Sequence, residues 1–367
     1  MTAYIAAACR SPVAPRGGGF AALSLDALGA PVLLAALAQA NLTPRDVDEV
    51  ILSNALGAGG NPARIVALAA GLPDHVAGLS IDRQCAGGMD AILLARMMVL
   101  AGEADVVVAG GVESYSRRPV RLRTHPDGRP PEAYDQASFT PWPDRDPHMT
   151  AAAAALARST GISRASQDNW AMTSHAKARA AIASPGEMIV LEKLERDTFT
   201  RNLTPQLCQR ARVLSGSVTT ANTAVAADAA AFCVVVSEKI AARASRAGMV
   251  EIIAGATRGS TPEQPGTAPL VAIREVLSRC GVTPQALSAA EVMEAYAVQA
   301  IACVEGAGID PEIVNTDGGA LARGHPIGAS GAINAVRLYH RLRAHPGTGL
   351  ATIAAAGGIG TAMILRA

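Results

Sequence analysis

The sequence predicts an α/β fold in which helices cover sheets, and three observations carry that prediction. Segments of strand and helix character alternate from the first residues onward. The apolar runs are of strand length, as in Asp105-Val106-Val107-Val108-Ala109. Loop, helix, strand and double glycine also occur twice, over 25 residues from Cys85 to Gly110 and over 27 from Ser330 to Gly357. That repetition points to two similar halves facing each other.

Each element follows in order. Met1 to Arg10 reads as a first strand, since it lacks the basic start and Leu-rich run of a signal peptide. Leu25 to Ala40 reads as a helix. Thr43-Pro44-Arg45-Asp46 carries a helix-start signal for a short turn, and a strand follows within Val47 to Asn54. Pro62 to Gly71 is a helix, and Leu79 to Asp82 is a short strand leading to Cys85. From Gly87, the residues Met89, Ile92, Leu93, Met97 and Leu100 keep helical spacing. Gly102 to Asp105 then turn the chain into a buried strand that ends at Gly110-Gly111. From about Ser114 to Thr204 prolines and charges gather, as in Pro126-Asp127-Gly128-Arg129-Pro130-Pro131. This stretch is an excursion from the core with one helix, Ser166 to Ala183. Insertions beside a rigid scaffold often carry substrate contacts, so its arginines either meet a phosphorylated ligand or form solvated surface. After Gly328 a helix presents Ile333, Val336, Leu338 and Leu342. A turn at His345 to Gly349 then feeds a strand, Leu350 to Ala355, which ends at Gly357-Gly358.

Composition narrows the function. The 367 residues carry 32 Lys+Arg against 31 Asp+Glu, a net charge of +1. Without a basic excess, no nucleic-acid partner is expected. Hydrophobic residues make up 50% and mean hydropathy is +0.23. No apolar run approaches the ~20 residues of a spanning helix, so no membrane partner is expected either. Six cysteines (Cys9, Cys85, Cys208, Cys233, Cys280 and Cys303) are scattered without metal-ligand spacing, and no metal site is expected. Cys233 and Cys303 sit in apolar runs as inert core thiols. A reducing cytoplasm is the expected compartment.

The chemistry lies at two loop-to-helix junctions. Asp82-Arg83-Gln84-Cys85-Ala86-Gly87-Gly88-Met89 presents a thiol, and Gly324-His325-Pro326-Ile327-Gly328-Ala329-Ser330-Gly331 presents an imidazole. A thiol nucleophile with an imidazole base indicates acyl transfer through a covalent thioester. A helix entrance favours the thiolate, because free amides and the helix dipole stabilise negative charge. Gly87 and Gly88 either let substrate approach the backbone or serve helix packing.

These two segments, with Asn61-Pro62-Ala63-Arg64, Gly110-Gly111-Val112-Glu113-Ser114, His148-Met149, Met293-Glu294-Ala295-Tyr296 and Gly357-Gly358-Ile359-Gly360, resemble the thiolase family over nearly the whole chain. The resemblance implies two βαβαβαββ halves in a five-layered α-β-α-β-α arrangement. Residues 1–240 would form the first half, with a loop domain inserted at about 115–205, and residues 241–367 the second. It also implies a coenzyme A thioester as substrate, no permanently bound cofactor, and a homodimer or homotetramer. Carried over by position, Cys85 accepts the acyl group, and His325 activates it and helps to hold the thioester oxygen. Met293, Glu294, Ala354, Ala356 and Gly358 fall at the family's oxyanion and pocket positions. His148, Met149 and Ala224 fall at its substrate-binding positions.

Three departures from the family pattern bear on activity. Ala354 stands where the family places a second cysteine that takes a proton from the acetyl α-carbon. Met293 replaces an asparagine that orients a water, and a thioether donates no hydrogen bond. Ala224 replaces a serine near bound pantetheine. Loss of a general acid/base costs about 10²–10⁴ in rate, and loss of one oxyanion donor about 10²–10³. Acylation of Cys85 needs neither group. Glu294, Tyr296, His148 and Cys303 are candidate substitutes, each with a structural role as the alternative. The expected function is thiolase-like C-acyl transfer by thiolysis or Claisen condensation, with an atypical substrate or reduced classical activity. The alternatives are a non-thiolytic or decarboxylative acyltransferase and an acyl-CoA-binding subunit without turnover.

Overall fold

Backbone hydrogen bonds thread nine principal strands into one sheet. The computed structural model describes residues 2–367 apart from Ala58, Ala244, Ser245 and Ala247; Met1, at the head of the expected first strand, lies outside the described residues. The strands are β1 (Ala3–Arg10), β2 (Glu49–Ser53), β3 (Leu79–Ile81), β4 (Val106–Glu113), β5 (Ala227–Ser237), β6 (Val250–Gly259), β7 (Ala289–Val292), β8 (Thr348–Ala355) and β9 (Ile359–Arg366). The main helices are α1 (Leu25–Gln39), α2 (Pro62–Ala69), α3 (Gly87–Ala101), α4 (Met149–Thr160), α5 (Arg164–Ala180), α6 (Pro269–Cys280), α7 (Ala297–Ala307) and α8 (Ile327–Ala344).

The strand order is β7-β8-β9-β6-β1-β5-β4-β2-β3. It contains one pattern twice, with β1-β5-β4-β2 matched by β6-β9-β8-β7. In each copy an inner strand, β4 or β8, has a parallel neighbour on one side and an antiparallel one on the other. The copies meet where β1 and β6 pair antiparallel through Tyr4–Glu251 and Ile5–Val250. The internal echo in the sequence therefore corresponds to a repeated topology.

The layers follow from which side chains share a core. Successive strand residues point to opposite faces. Val108, Leu52 and Phe232 accordingly pack on Leu28, Leu33 and Val66 of α1 and α2. Their neighbours Val107, Ile51 and Ala231 face a second core shared with Met89 and Ile92 of α3 and with Ala332, Val336 and Tyr339 of α8. Ala351 and Ile353 of β8 close that core from the other side. Beyond the second half-sheet, Ile273 and Val276 of α6 and Val304 of α7 pack on Leu350 and Ile364. The result is α-β-α-β-α, with α3 and α8 as the middle layer. Strands buried on both faces read as continuous apolar runs, which explains the segment Ala229–Val236.

The middle helices approach closely because glycines face each other's backbone. A Cβ on Gly88 would stand 2.7 Å from the Gly328 carbonyl, and one on Gly331 would stand 2.6 Å from the Met89 nitrogen. One sequence expectation changes here. Strand β4 does not end at Gly110-Gly111 but runs on to Glu113. Gly111 is required inside it, because a Cβ there would fall 2.1 Å from the Gly328 carbonyl oxygen. Gly357 and Gly358, at φ 78° and 75°, instead turn the chain between β8 and β9.

Two further readings are revised. The excursion contains two long helices, α4 and α5, where one was expected. The apolar stretch of α4 from Ala151 to Ala157 has no polar contrast at helical spacing, so periodicity did not mark it. By length and composition alone Gln84–Ala101 is apolar enough to cross a membrane, a stretch the sequence reading passed over. It belongs to α3 and the turn before it, and lies between the two half-sheets.

Candidate active site

Cys85 sits in a single 3-10 turn, Gln84–Ala86, one step outside α3. Gln84 adopts a left-handed φ of 49°, a strained conformation for a residue with a side chain. Asp82 offsets the strain, accepting from the Gln84 backbone N–H at 2.8 Å and from its side-chain amide at 3.0 Å. His325 lies in the loop before α8, and its backbone N–H donates to the Val225 carbonyl at 2.7 Å. These anchors bring His325 Nε2 to 3.1 Å from Cys85 Sγ.

The other ring nitrogen, Nδ1, lies 2.6 Å from Ser330 Oγ. That hydroxyl donates to the Pro326 carbonyl at 3.0 Å, which uses its only proton. It must then accept from Nδ1–H, which assigns the tautomer: Nε2 is unprotonated and accepts the Cys85 S–H.

Burial pushes the Cys85 thiol up to about 12, reinforced by the nearby charges of Glu113 and Asp82; the N–H groups of Cys85 and Ala356 oppose the shift. Burial also lowers His325 to about 4. The resting pair is therefore neutral thiol with neutral imidazole. The amides at the helix entrance favour the thiolate, but less than burial opposes it. Cys85 precedes the helix proper, and desolvation outweighs the amide dipoles.

The pair opens on a cavity of about 400 Å³. Ala354 and Ala356, at the end of β8, form its floor beside Cys85, and His148, Met149 and Ala224 also line it. His148 caps α4, its Nδ1 accepting from the Thr150 N–H at 3.3 Å. Three of the sequence-derived positions lie elsewhere. Met293 is buried in the middle-layer core. Glu294 is a structural hub, accepting from Trp170 Nε1, Ser174 Oγ, Asn315 Nδ2 and the Leu321 N–H. Gly358 belongs to the hairpin after β8, where its carbonyl accepts from Ser260. None of the three lines the cavity.

The proposed substitutes divide in the same way. Tyr296 lines the cavity, with its hydroxyl 3.1 Å from Thr150 Oγ1. Cys303 lies behind the wall and donates its S–H to the Gly266 carbonyl at 3.2 Å. Gly87 and Gly88 serve packing, against Ser53 and against α8 respectively. Sequence reasoning missed Ser330, though the spacing of five residues from His325 places it in the first turn of the helix that follows. It also missed Glu113 and Tyr115, whose phenol is pushed up by burial and by the nearby Cys85 and Glu113.

Comparison with known proteins gives consistent matches. Residues 3–239 match the model of the thiolase N-terminal domain, and residues 247–367 that of the thiolase C-terminal domain. An acetyl-CoA acetyltransferase of Cupriavidus necator is 35% identical, covering 99% of this chain and 98% of its own length. The crystal structure of the Bacillus anthracis acetyl-CoA acetyltransferase superposes with a TM-score of 0.91 at 32% identity, over 100% of this chain and 98% of that one. The Acat5 thiolase from Ascaris suum, solved in complex with coenzyme A, gives 0.92 at 27% identity over the full length of both chains.

Proposed function

The chain belongs to the thiolase family, and from that premise we propose that it forms an acyl thioester on Cys85 with His325 as the activating base. It is an acyltransferase of the thiolase superfamily. The observation that carries the proposal is the 3.1 Å contact between Cys85 Sγ and the unprotonated Nε2. As the sulfur attacks an acyl-CoA carbonyl, Nε2 takes its proton. The developing oxyanion meets the N–H groups of Cys85 and Ala356, which flank the sulfur. His325 then returns the proton to the departing thiolate. His148, Met149 and Ala224, all on the cavity wall, suit the arm of a coenzyme A thioester.

Carbon–carbon chemistry needs a second acid/base, and Ala354 supplies only a methyl group there. The reading is 3-oxoacyl-CoA thiolysis or Claisen condensation at reduced classical rate, or with an atypical substrate. Cys303 favours a second reading, acyl exchange without C–C bond change, because its thiol is committed to the Gly266 carbonyl and does not itself line the cavity.

Intact mass after incubation with acetyl-CoA tests the core proposal. One added acyl group, absent in Cys85→Ser, is expected; an unmodified wild-type protein sinks the reading. Exchange of the acyl group onto labelled coenzyme A, compared with thiolysis of acetoacetyl-CoA, separates the two outcomes. We also propose a homodimer or homotetramer. The supporting feature is the edge strand β3 with exposed Leu79, near exposed Ile65 and Leu68 of α2. Light scattering at native concentration tests it. The six free thiols suit a cytoplasmic setting.

A further inference from the structure

Glu113 closes β4 and is fully buried. Its carboxylate is surrounded by donors. Oε1 accepts from Asn54 Nδ2 at 2.7 Å and the Leu56 N–H at 3.4 Å, and Oε2 from the N–H groups of Ala55 and Gly328, each at 2.9 Å. These donors belong to two separate pieces of the site. Ala55 and Leu56 are part of the cavity wall, in the loop after β2. Gly328 is in the first turn of α8, three residues beyond His325, and its carbonyl rests against Gly111 of β4. One carboxylate thus fastens the nucleophile's half to the base's half at the level of the reacting atoms.

We propose that Glu113 is a positioning residue for the Cys85–His325 pair, holding the start of α8 and the Ala55–Leu56 wall against β4 in its ionised form and loosening them when protonated. The inference deepens the acyl-transfer reading above and rests on it only where turnover is measured. A proton on Glu113 would place a fifth hydrogen among four donors, each of which now donates to the carboxylate. The charged and titratable groups around it are Asp82, Cys85 and Tyr115. Arg121 lies on the far side of the wall, where it donates to the Ala55 and Leu56 carbonyls. Burial raises the carboxyl to about 7, with Asp82 adding to the rise, against the pull of the three backbone N–H groups. Burial lowers His325, which moves its own titration away from neutrality.

The sign of the coupling separates this role from a purely structural one. A carboxyl raised in the folded state contributes stability that is present below its unfolded value of 4.5 and lost as pH rises through about 7. Acidification through neutrality should therefore favour folding through Glu113 while it impairs the site.

Two rates at Cys85 test this in the full-length protein between about pH 5.5 and 8.5. One is acylation by acetyl-CoA, read by rapid quench and intact mass. The other is alkylation by iodoacetamide, read by peptide mapping. In the wild type acylation should fall at least about tenfold as pH drops through 7, and alkylation should fall more steeply than the roughly tenfold per unit that ionisation of the thiol alone gives. Glu113→Gln should slow both by on the order of 10²-fold at the alkaline end, and should abolish the acylation limb and the extra steepness of alkylation, leaving only the slope of the thiol's own ionisation. Wild-type rates and profile in Glu113→Gln would overturn the proposal, as would a wild type with no limb near neutrality. If the variant does not fold, a wild type without the acylation limb and without the extra steepness of alkylation still overturns the proposal. If acetyl-CoA leaves Cys85 unmodified, the proposed function fails, while alkylation still judges Glu113.

Discussion

Ser330 decides which nitrogen of His325 carries the proton. With its hydroxyl proton committed to Pro326, it can only accept from Nδ1–H. Ser330→Ala frees both tautomers, and acylation of Cys85 is expected to slow by about 10- to 100-fold with little change in melting temperature; wrong-tautomer penalties elsewhere reach about 10⁴. Stopped-flow with acyl-CoA measures it. Two of the three positions expected to depart from the family pattern should behave differently when changed to the family's residue. Ala354→Cys places a thiol on the cavity floor, and thiolysis of acetoacetyl-CoA should rise by about 10²–10⁴. Met293→Asn puts an amide into an apolar core, so about 1–3 kcal/mol of stability should be lost without a matching gain in rate. Steady-state kinetics and thermal melts of the two variants check both outcomes. Cys85 and His325 were legible from sequence because each is framed by glycines at a loop-to-helix junction. Placement of Met293 and Glu294 was not. Adjacency to a motif fixes where the backbone runs, whereas strand pairing decides which face each side chain takes.

At the level of elements, the site depends on how closely α3, α8 and β4 approach. Gly88, Gly331 and Gly111 each leave room that the opposing backbone fills. Gly111→Ala would force the Gly328 carbonyl aside and carry the His325 loop with it. Overpacking typically costs about 1–3 kcal/mol, and displacement of the base by about 1 Å should reduce acylation about 10²-fold. Calorimetry and the Cys85 alkylation rate test the two effects together. Helix and strand boundaries were readable to within a few residues where apolar spacing or Pro and Gly marked them. The helix α4 was not, since a run of alanines carries helical propensity without periodic contrast. The doubled glycines misled for a related reason. The same pair of residues serves close approach within β4 and a tight turn after β8, and only tertiary context distinguishes these uses.

The whole molecule is tied together by buried charges. Arg10 of β1 pairs with Glu187 at 2.8 Å and Asp197 at 2.7 Å in the inserted segment, and Arg337 of α8 reaches Glu187 at 3.4 Å and Glu291 of β7 at 3.1 Å. Burial alone would raise Glu187, but the attraction of Arg10 and Arg337 outweighs it and holds the carboxyl down to about 2. Its stabilising contribution is therefore complete above its ordinary 4.5 and lost as pH falls through 2. Acid melts should show the transition temperature dropping across that window. Arg337→Met leaves Glu291 buried without its partner and should cost about 3–5 kcal/mol, read by denaturant titration. No sequence pattern announced this network, because its members lie far apart in the chain and each arginine alone resembles an ordinary surface charge. The two-half plan was legible, since duplicated topology leaves a repeated string.

Helix α3 is apolar around its circumference because it is covered on both sides, by β-strands of its own half and by α8 with β8 of the other. During synthesis the first half emerges before any residue of the second exists. Until Ile327–Ala344 and the strands around it arrive, α3 has a bare oily flank that water disfavours. The chain should then be a client for holdase chaperones, and truncations ending before α8 should accumulate as inclusion bodies.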